Sequence, residues 1–235
     1  SLPSVFTVTG GGSYCAGGSG VTVGLSGSAS GINYQLYNGA VAAGSSVAGT
    51  GTAITFGAFS TAGTYTVVAA NATTGCTSNM SGSASVSINP VPVVYSVTGG
   101  GNYCFGGTGV HVGLGNSNTG INYQLYRSGV AVGSPVAGSN TAIDFGVFLT
   151  AGVYTVSAVN TGTGCSGNMT GSATIAINPL PAVYTVAGGG NYCAGGSGMN
   201  ISLSGSASGI NYQLYRGATS VGTPLAGTGS PLDFG

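Results

Sequence analysis

The stretch INYQLY, residues 32–37, returns unchanged at 121–126 and 210–215, a constant step of 89 residues. Within it Ile32, Tyr34 and Leu36 alternate with Asn33, Gln35 and Tyr37. A period of two is that of a β-strand with one face in a core and the other toward water. VTVGL (21–25) alternates likewise, with Val21, Val23 and Leu25 set against Thr22 and Gly24. VFTVT (5–9), ITF (54–56), TYTVVA (64–69) and SVSI (85–88) supply further short strands. Asn38-Gly39 after INYQLY is a hairpin signal. Glycine and serine clusters punctuate the strands at the spacing of a sandwich or barrel. Six or seven short strands per repeat predict an all-β chain of β-sandwich modules.

The same step orders the whole chain. Cys15, Cys104 and Cys193 obey it, and so do Cys76 and Cys165. We therefore divide the chain into repeats at 1–90, 91–179 and 180–235. The third stops at LDFG, where the first reads ITFG and continues into AGTYTVVA, so its last two strands are missing. The chain reads as a window onto a longer array. INPVPVVY (88–95) and INPLPAVY (177–184) join the repeats. A short Pro-x-Pro linker favours extended geometry and acts as a semi-rigid spacer, which predicts an extended array.

Composition excludes several classes of function. The charged residues are Arg127, Arg216, Asp144 and Asp233, 2% of the chain, and the net charge is zero. There is no electrostatic footprint for nucleic acid or an anionic membrane, and no apolar run long enough to predict membrane insertion. With 42% hydrophobic residues the chain can still build cores. General acid–base chemistry needs tuned, positioned titratable groups, and the three repeats share no such constellation. His111 takes the outward position held by Thr22 and Asn200, as an exposed surface histidine. A zinc or calcium site cannot be assembled from one histidine and two aspartates. We expect no catalytic residue, no cofactor and no metal.

GTYTVVA (63–69) resembles the strand-F segment of immunoglobulin-like domains, where a tyrosine corner tethers the preceding turn. YQLY (34–37) resembles their strand C, with Leu36 where many have tryptophan. The order Y-C-x-G-G, YQLY, G-x-Y-T-V, G-C, N-P-x-P is similar to tandem Ig-like repeats of very large secreted surface proteins of Bacteroidota. That resemblance spans the chain and implies an extracellular adhesin or fibre. It departs from antibody-type domains in lacking cysteines in strands B and F, near Leu25 and Val67.

The glycine-rich stretch GGGSYCAGGSG (10–20) is not a phosphate loop: the chain has no lysine for a P-loop, and a strand follows rather than a helix. Each complete repeat instead carries one cysteine in this stretch and a second 61 residues on, in TTGCTS or GTGCSG. Two per repeat reads as a disulfide, which predicts Cys15–Cys76 and Cys104–Cys165 and leaves Cys193 with a partner beyond the sequence. Arg127 and Asp144 lie 17 residues apart, as do Arg216 and Asp233. They form two candidate salt bridges, with solvated side chains as the alternative.

Two functions remain at this stage. The first is a structural segment of a long extracellular fibre or surface adhesin stalk, with copies of itself as partner. The second is a carbohydrate-binding surface module using the outward tyrosines Tyr37, Tyr126 and Tyr215 on a glycan target.

Overall fold

Alternation in the first repeat produces ten strands in the computed structural model, which describes residues 1–235. They are β1 (Val8–Gly10), β2 (Gly12–Cys15), β3 (Val21–Leu25), β4 (Ile32–Asn38), β5 (Val41–Ala42), β6 (Val47–Ala48), β7 (Ile54–Phe59), β8 (Gly63–Asn71), β9 (Thr77–Asn79) and β10 (Ala84–Asn89). One sheet runs β1-β3-β7. The other runs β2-β10-β8-β4-β5, with β6 added on β4 and β9 on β8. The chain thus enters in one sheet and switches to the other between β1 and β2.

The inward faces close over one core. Val8, Val23 and Leu25 come from the first sheet, and Tyr34, Leu36, Tyr65, Val67, Ala69 and Val86 from the second. Tyr34 and Leu36 are fully buried while Asn33 is exposed, as the alternation of INYQLY requires. Three polar ties hold the core's rim. Tyr65 donates its hydroxyl proton to the carbonyl of Thr61 at 2.8 Å, which makes the tyrosine corner. The Tyr34 hydroxyl accepts from the Ala29 amide at 2.9 Å. Ser28, almost fully buried, donates to the Thr52 carbonyl at 2.6 Å and accepts from the Thr50 amide at 2.9 Å.

By packing, the chain divides into two compact units whose limits do not follow the repeat boundaries. The first comprises Ser1–Gly101, Val110–Phe148 and Gly152–Thr174, the second Asn102–Gly109, Leu149–Ala151 and Ile175–Gly235. Within the first unit the strands Val97–Gly99, Val110–Leu114 and Ile143–Phe148 reproduce β1-β3-β7. Ile121–Arg127 lies between Val130–Ala137 and Gly152–Asn160, as β4 lies between β5 and β8. Its hairpin closes Arg127 onto Val130 through Ser128 and Gly129, both at positive φ (48° and 84°), a type I′ turn. In the first repeat the loop is Gly39-Ala40, one residue beyond the Asn-Gly signal.

Within the second unit Val186–Gly188, Ile201–Leu203 and Leu232–Asp233 form a sheet, and Asn211–Arg216 pairs with Thr219–Ala226. Tyr212 and Leu214 are half-buried where Tyr34 and Leu36 are fully covered. Both units are all-β, and the repeats are tandem β-sandwich modules.

Close approach fixes Gly49. A Cβ there would lie 2.1 Å from the Ala29 carbonyl oxygen and 3.0 Å from the Tyr34 ring, and Gly138 and Gly227 meet the same constraint. Gly49→Ala should destabilise the chain by about 1–3 kcal/mol, the usual cost of overpacking. Urea unfolding with unchanged m-value measures it.

Candidate functional site

The site with chemical consequences begins in the stretch Gly10-Gly11-Gly12. All three residues have positive φ, and a Cβ on Gly10 would lie 2.1 Å from the Thr22 carbonyl oxygen. Only glycine lets the chain cross here from the first sheet to the second. GSYC then forms β2 and pairs in parallel with β10, so that Gly12 faces Val86 and Cys15 faces Asn89. The Ala16 amide donates to the Asn89 carbonyl at 2.9 Å. Tyr14 donates its hydroxyl proton to the Ser60 carbonyl, pinning the turn to the end of β7. Cys15 is thereby fixed beside the residue at which the chain leaves its module.

Cys76 lies at the other end. It follows β8 in a tight turn closed by the Asn71 amide on the Cys76 carbonyl at 2.9 Å. Shortly afterwards Ser81 bridges to Thr7, where the chain comes in. The nine residues of β8 alone span about 27 Å, whereas a disulfide requires Cα atoms roughly 4.4–6.8 Å apart. The expected Cys15–Cys76 bond is therefore not formed, and neither is Cys104–Cys165.

The structure instead joins Cys15 to Cys165, with Cα atoms 5.5 Å apart and a sequence separation of 150. The bond runs from the downstream end of the first module to the turn after Gly152–Asn160 in the second. Cys165 is fully buried. Beside it the linker residue Pro92 is buried, with its Cδ 4.0 Å from where Gly167 would carry a Cβ. Closing a loop of 150 residues lowers the entropy of the unfolded chain by an amount worth about 5 kcal/mol. Cys76, Cys104 and Cys193 are free thiols.

The two candidate salt bridges are also corrected. Asp144 accepts from the Gly146 amide at 2.8 Å and meets His111 Nδ1 at 2.8 Å, with both side chains largely exposed. Asp233 accepts from the Asn200 amide at 3.1 Å and from the Gly235 backbone at 3.0 Å. Arg127 and Arg216 lie on strands of the opposite sheet from their proposed partners. Thus His111 is exposed as expected, but it has a carboxylate neighbour one strand away. The Gly146 amide chiefly holds the Asp144 carboxyl below its ordinary value; desolvation opposes it, and the hydrogen bond and charge of His111 add smaller lowering contributions.

The tyrosines offered as a ligand face do not form a uniform platform. Tyr37 and Tyr126 are half-buried, and only Tyr215 is widely exposed. Tyr126 lines a hollow of about 280 Å³ with Thr155, Ser157, Asn168 and Met169. Gln35 donates its side-chain amide to the Leu36 and Gly44 carbonyls at 2.9 and 3.0 Å, so it latches the hairpin rather than facing outward. Gln124 and Gln213 do the same. The structure contains no group of three His, Cys, Asp or Glu placed to hold a metal. No helix is long and apolar enough to cross a membrane.

Residues 3–90 match the family model for the Ig-like domain described as CHU_C associated. Its first repeat thus matches an Ig-like domain family, and INYQLY recurs from it along the chain at the constant step of 89 residues. No curated protein matches it. Among solved structures, the human OSCAR ligand-binding domain is 14% identical, covering 74% of this chain and 100% of that one at a TM-score of 0.32. The fibronectin(III)-like modules of Clostridium thermocellum CbhA are 14% identical, covering 74% and 95% at 0.39. The chicken CNTN1 FN1-FN3 domains are 14% identical, covering 99% and 87% at 0.29.

Two predictions follow from the site's geometry. Unfolded in guanidinium without reductant, the chain should titrate three thiols with a disulfide-exchange reagent, whereas pairing within modules would leave one. Asp144 has its folded pKa lowered from 3.8, so its stabilising contribution is present above that value and is lost as pH falls through the folded one. Asp144→Asn should therefore lower the denaturation midpoint slightly near neutrality and leave it unchanged in strong acid.

Proposed function

We propose that this chain is a stretch of a long extracellular structural fibre or surface adhesin stalk, built from Ig-like modules that also associate side by side into filaments. The observation that carries the reading is the Cys15–Cys165 bond. A module whose task is to bind a ligand has no need of a covalent tie to its neighbour, whereas a load-bearing array does. A structural disulfide also suits an oxidising, extracellular setting.

The surface supports sideways association. With 2% charged residues and no net charge there is little electrostatic repulsion between copies. The carbohydrate-binding alternative draws less support, because the glutamines that would accompany the tyrosines already hold the hairpin in place.

Electron microscopy of the native secreted material tests the proposal. An ordered filament with a repeat of one module or a small multiple is the expected result. Separate beaded threads would remove the lateral association and leave a stalk. Thr22→Lys, a change on the exposed face of β3, should reduce filament yield severalfold without lowering the melting temperature. Filaments unchanged by this substitution and by the equivalent His111→Lys would count against packing through that face.

A further inference from the structure

We propose that the Cys15–Cys165 bond is one rung of a repeating ladder, in which the cysteine that ends each module's β2-type segment (the A–B turn, before the β3-type strand) is joined to the cysteine in the turn after the β8-type strand (the F–G turn) of the module that follows. Cys104 and Cys76 are the open halves of the neighbouring rungs. Cys104 stands one step of 89 residues after Cys15, in GNYCFGG against GSYCAGG, and Cys76 stands one step before Cys165. Each sits in the local frame of its bonded counterpart. The Phe105 amide donates to the Asn178 carbonyl at 2.9 Å, as Ala16 donates to Asn89. The Gly107 amide closes on the Cys104 carbonyl at 2.9 Å, as Gly18 closes on Cys15. The turn at Cys76 has the same Asn71 closure that Asn160 gives Cys165.

Exposure separates the bonded from the unbonded members. Cys165 is fully buried against its partner while Cys76 is only half-covered, and Cys104 is exposed where Cys15 is half-buried. The unpaired thiols therefore lie open at positions prepared by the same hydrogen bonds as the paired ones. The partner they fit is a further copy of this module presenting the complementary turn. Within one module the two cysteines lie at opposite ends, so the bond can only advance along the array.

Each rung requires a two-electron oxidant, which we take to be a dithiol–disulfide exchange protein in its oxidised form. One cysteine thiolate attacks a sulfur of the oxidant's disulfide and releases the first oxidant thiolate. The thiolate of the complementary turn then attacks the resulting mixed disulfide and releases the second. Two cysteine thiols become one disulfide, and the oxidant leaves as a dithiol carrying both electrons and both protons. The ladder does not depend on sideways association: separate threads would carry it equally.

The test completes the third module by adding a copy of residues 58–89 after Gly235, which supplies a copy of Cys76 in its natural frame. The protein is secreted under oxidising conditions, alkylated, and digested with pepsin without reduction. The expected map joins the Phe105-bearing peptide of Cys104 to the added cysteine, keeps Cys15 with Cys165, and finds Cys76 and Cys193 alkylated. Alkylated Cys104, or Cys193 joined to the added cysteine, overturns the proposal. The same digestion of the natural secreted protein guards against a misfolded extension. There the Phe105-bearing peptide should be joined to an F–G-turn peptide other than that of Cys165, and its recovery as an alkylated monomer overturns the ladder independently.

Discussion

The parallel pairing of β2 with β10 governs what the downstream end of the first module can do. It exists because three consecutive glycines adopt conformations closed to other residues and carry the chain from one sheet to the other. Once across, the short strand ends level with Asn89, and its last residue is a cysteine. The residue that leaves the module and the residue that ties it to the next are thereby neighbours. Were residues 12–15 to remain a free corner, Cys15 would have no fixed position, and closing a bond to another module would cost the ordering of that corner.

The interior is held by apolar burial supplemented by a few hydrogen bonds, with almost no contribution from charge. Tyr34, Tyr65, Leu25 and Leu36 fill the space between the sheets. The buried Ser28, between β3 and β4, ties its loop to the one at Thr50 and Thr52, and it recurs as Ser117 and Ser206 with partners at the equivalent positions. These interactions leave the outward faces free to be small and uncharged.

Much of this was legible in the sequence. INYQLY and VTVGL declare their buried faces by alternation, and the tyrosine corner is visible in GTYTVVA because its hydrogen bond is local. The disulfide was not, although its key lay in counting. Five traverses of the sandwich separate Cys15 from Cys76 (β3, β4, the hairpin arm, β7 and β8), and an odd number places them at opposite ends. The even spacing of the cysteines concealed this, since a bond within a module and a bond to the next share the same period. The serine tie and the glutamine latch leave no comparable trace. Ser28 sits among several serines and glycines in SGSASG, and only the fold singles it out. Arg127 and Asp144 misled because equal spacing along the chain says nothing about which sheet a strand joins.

The junction between Asn89 and the following linker acquires a mechanical meaning from the residue beside it. A pull transmitted through the linker alone would draw β10 lengthwise past β2, loading their parallel hydrogen bonds in shear. With Cys15 anchored to the same neighbour, both strands are drawn in the same direction from the same end. The load divides between two covalent routes, and the pairing between them is relieved of the sliding force that would otherwise break it. A cleaved linker would also leave the two modules attached.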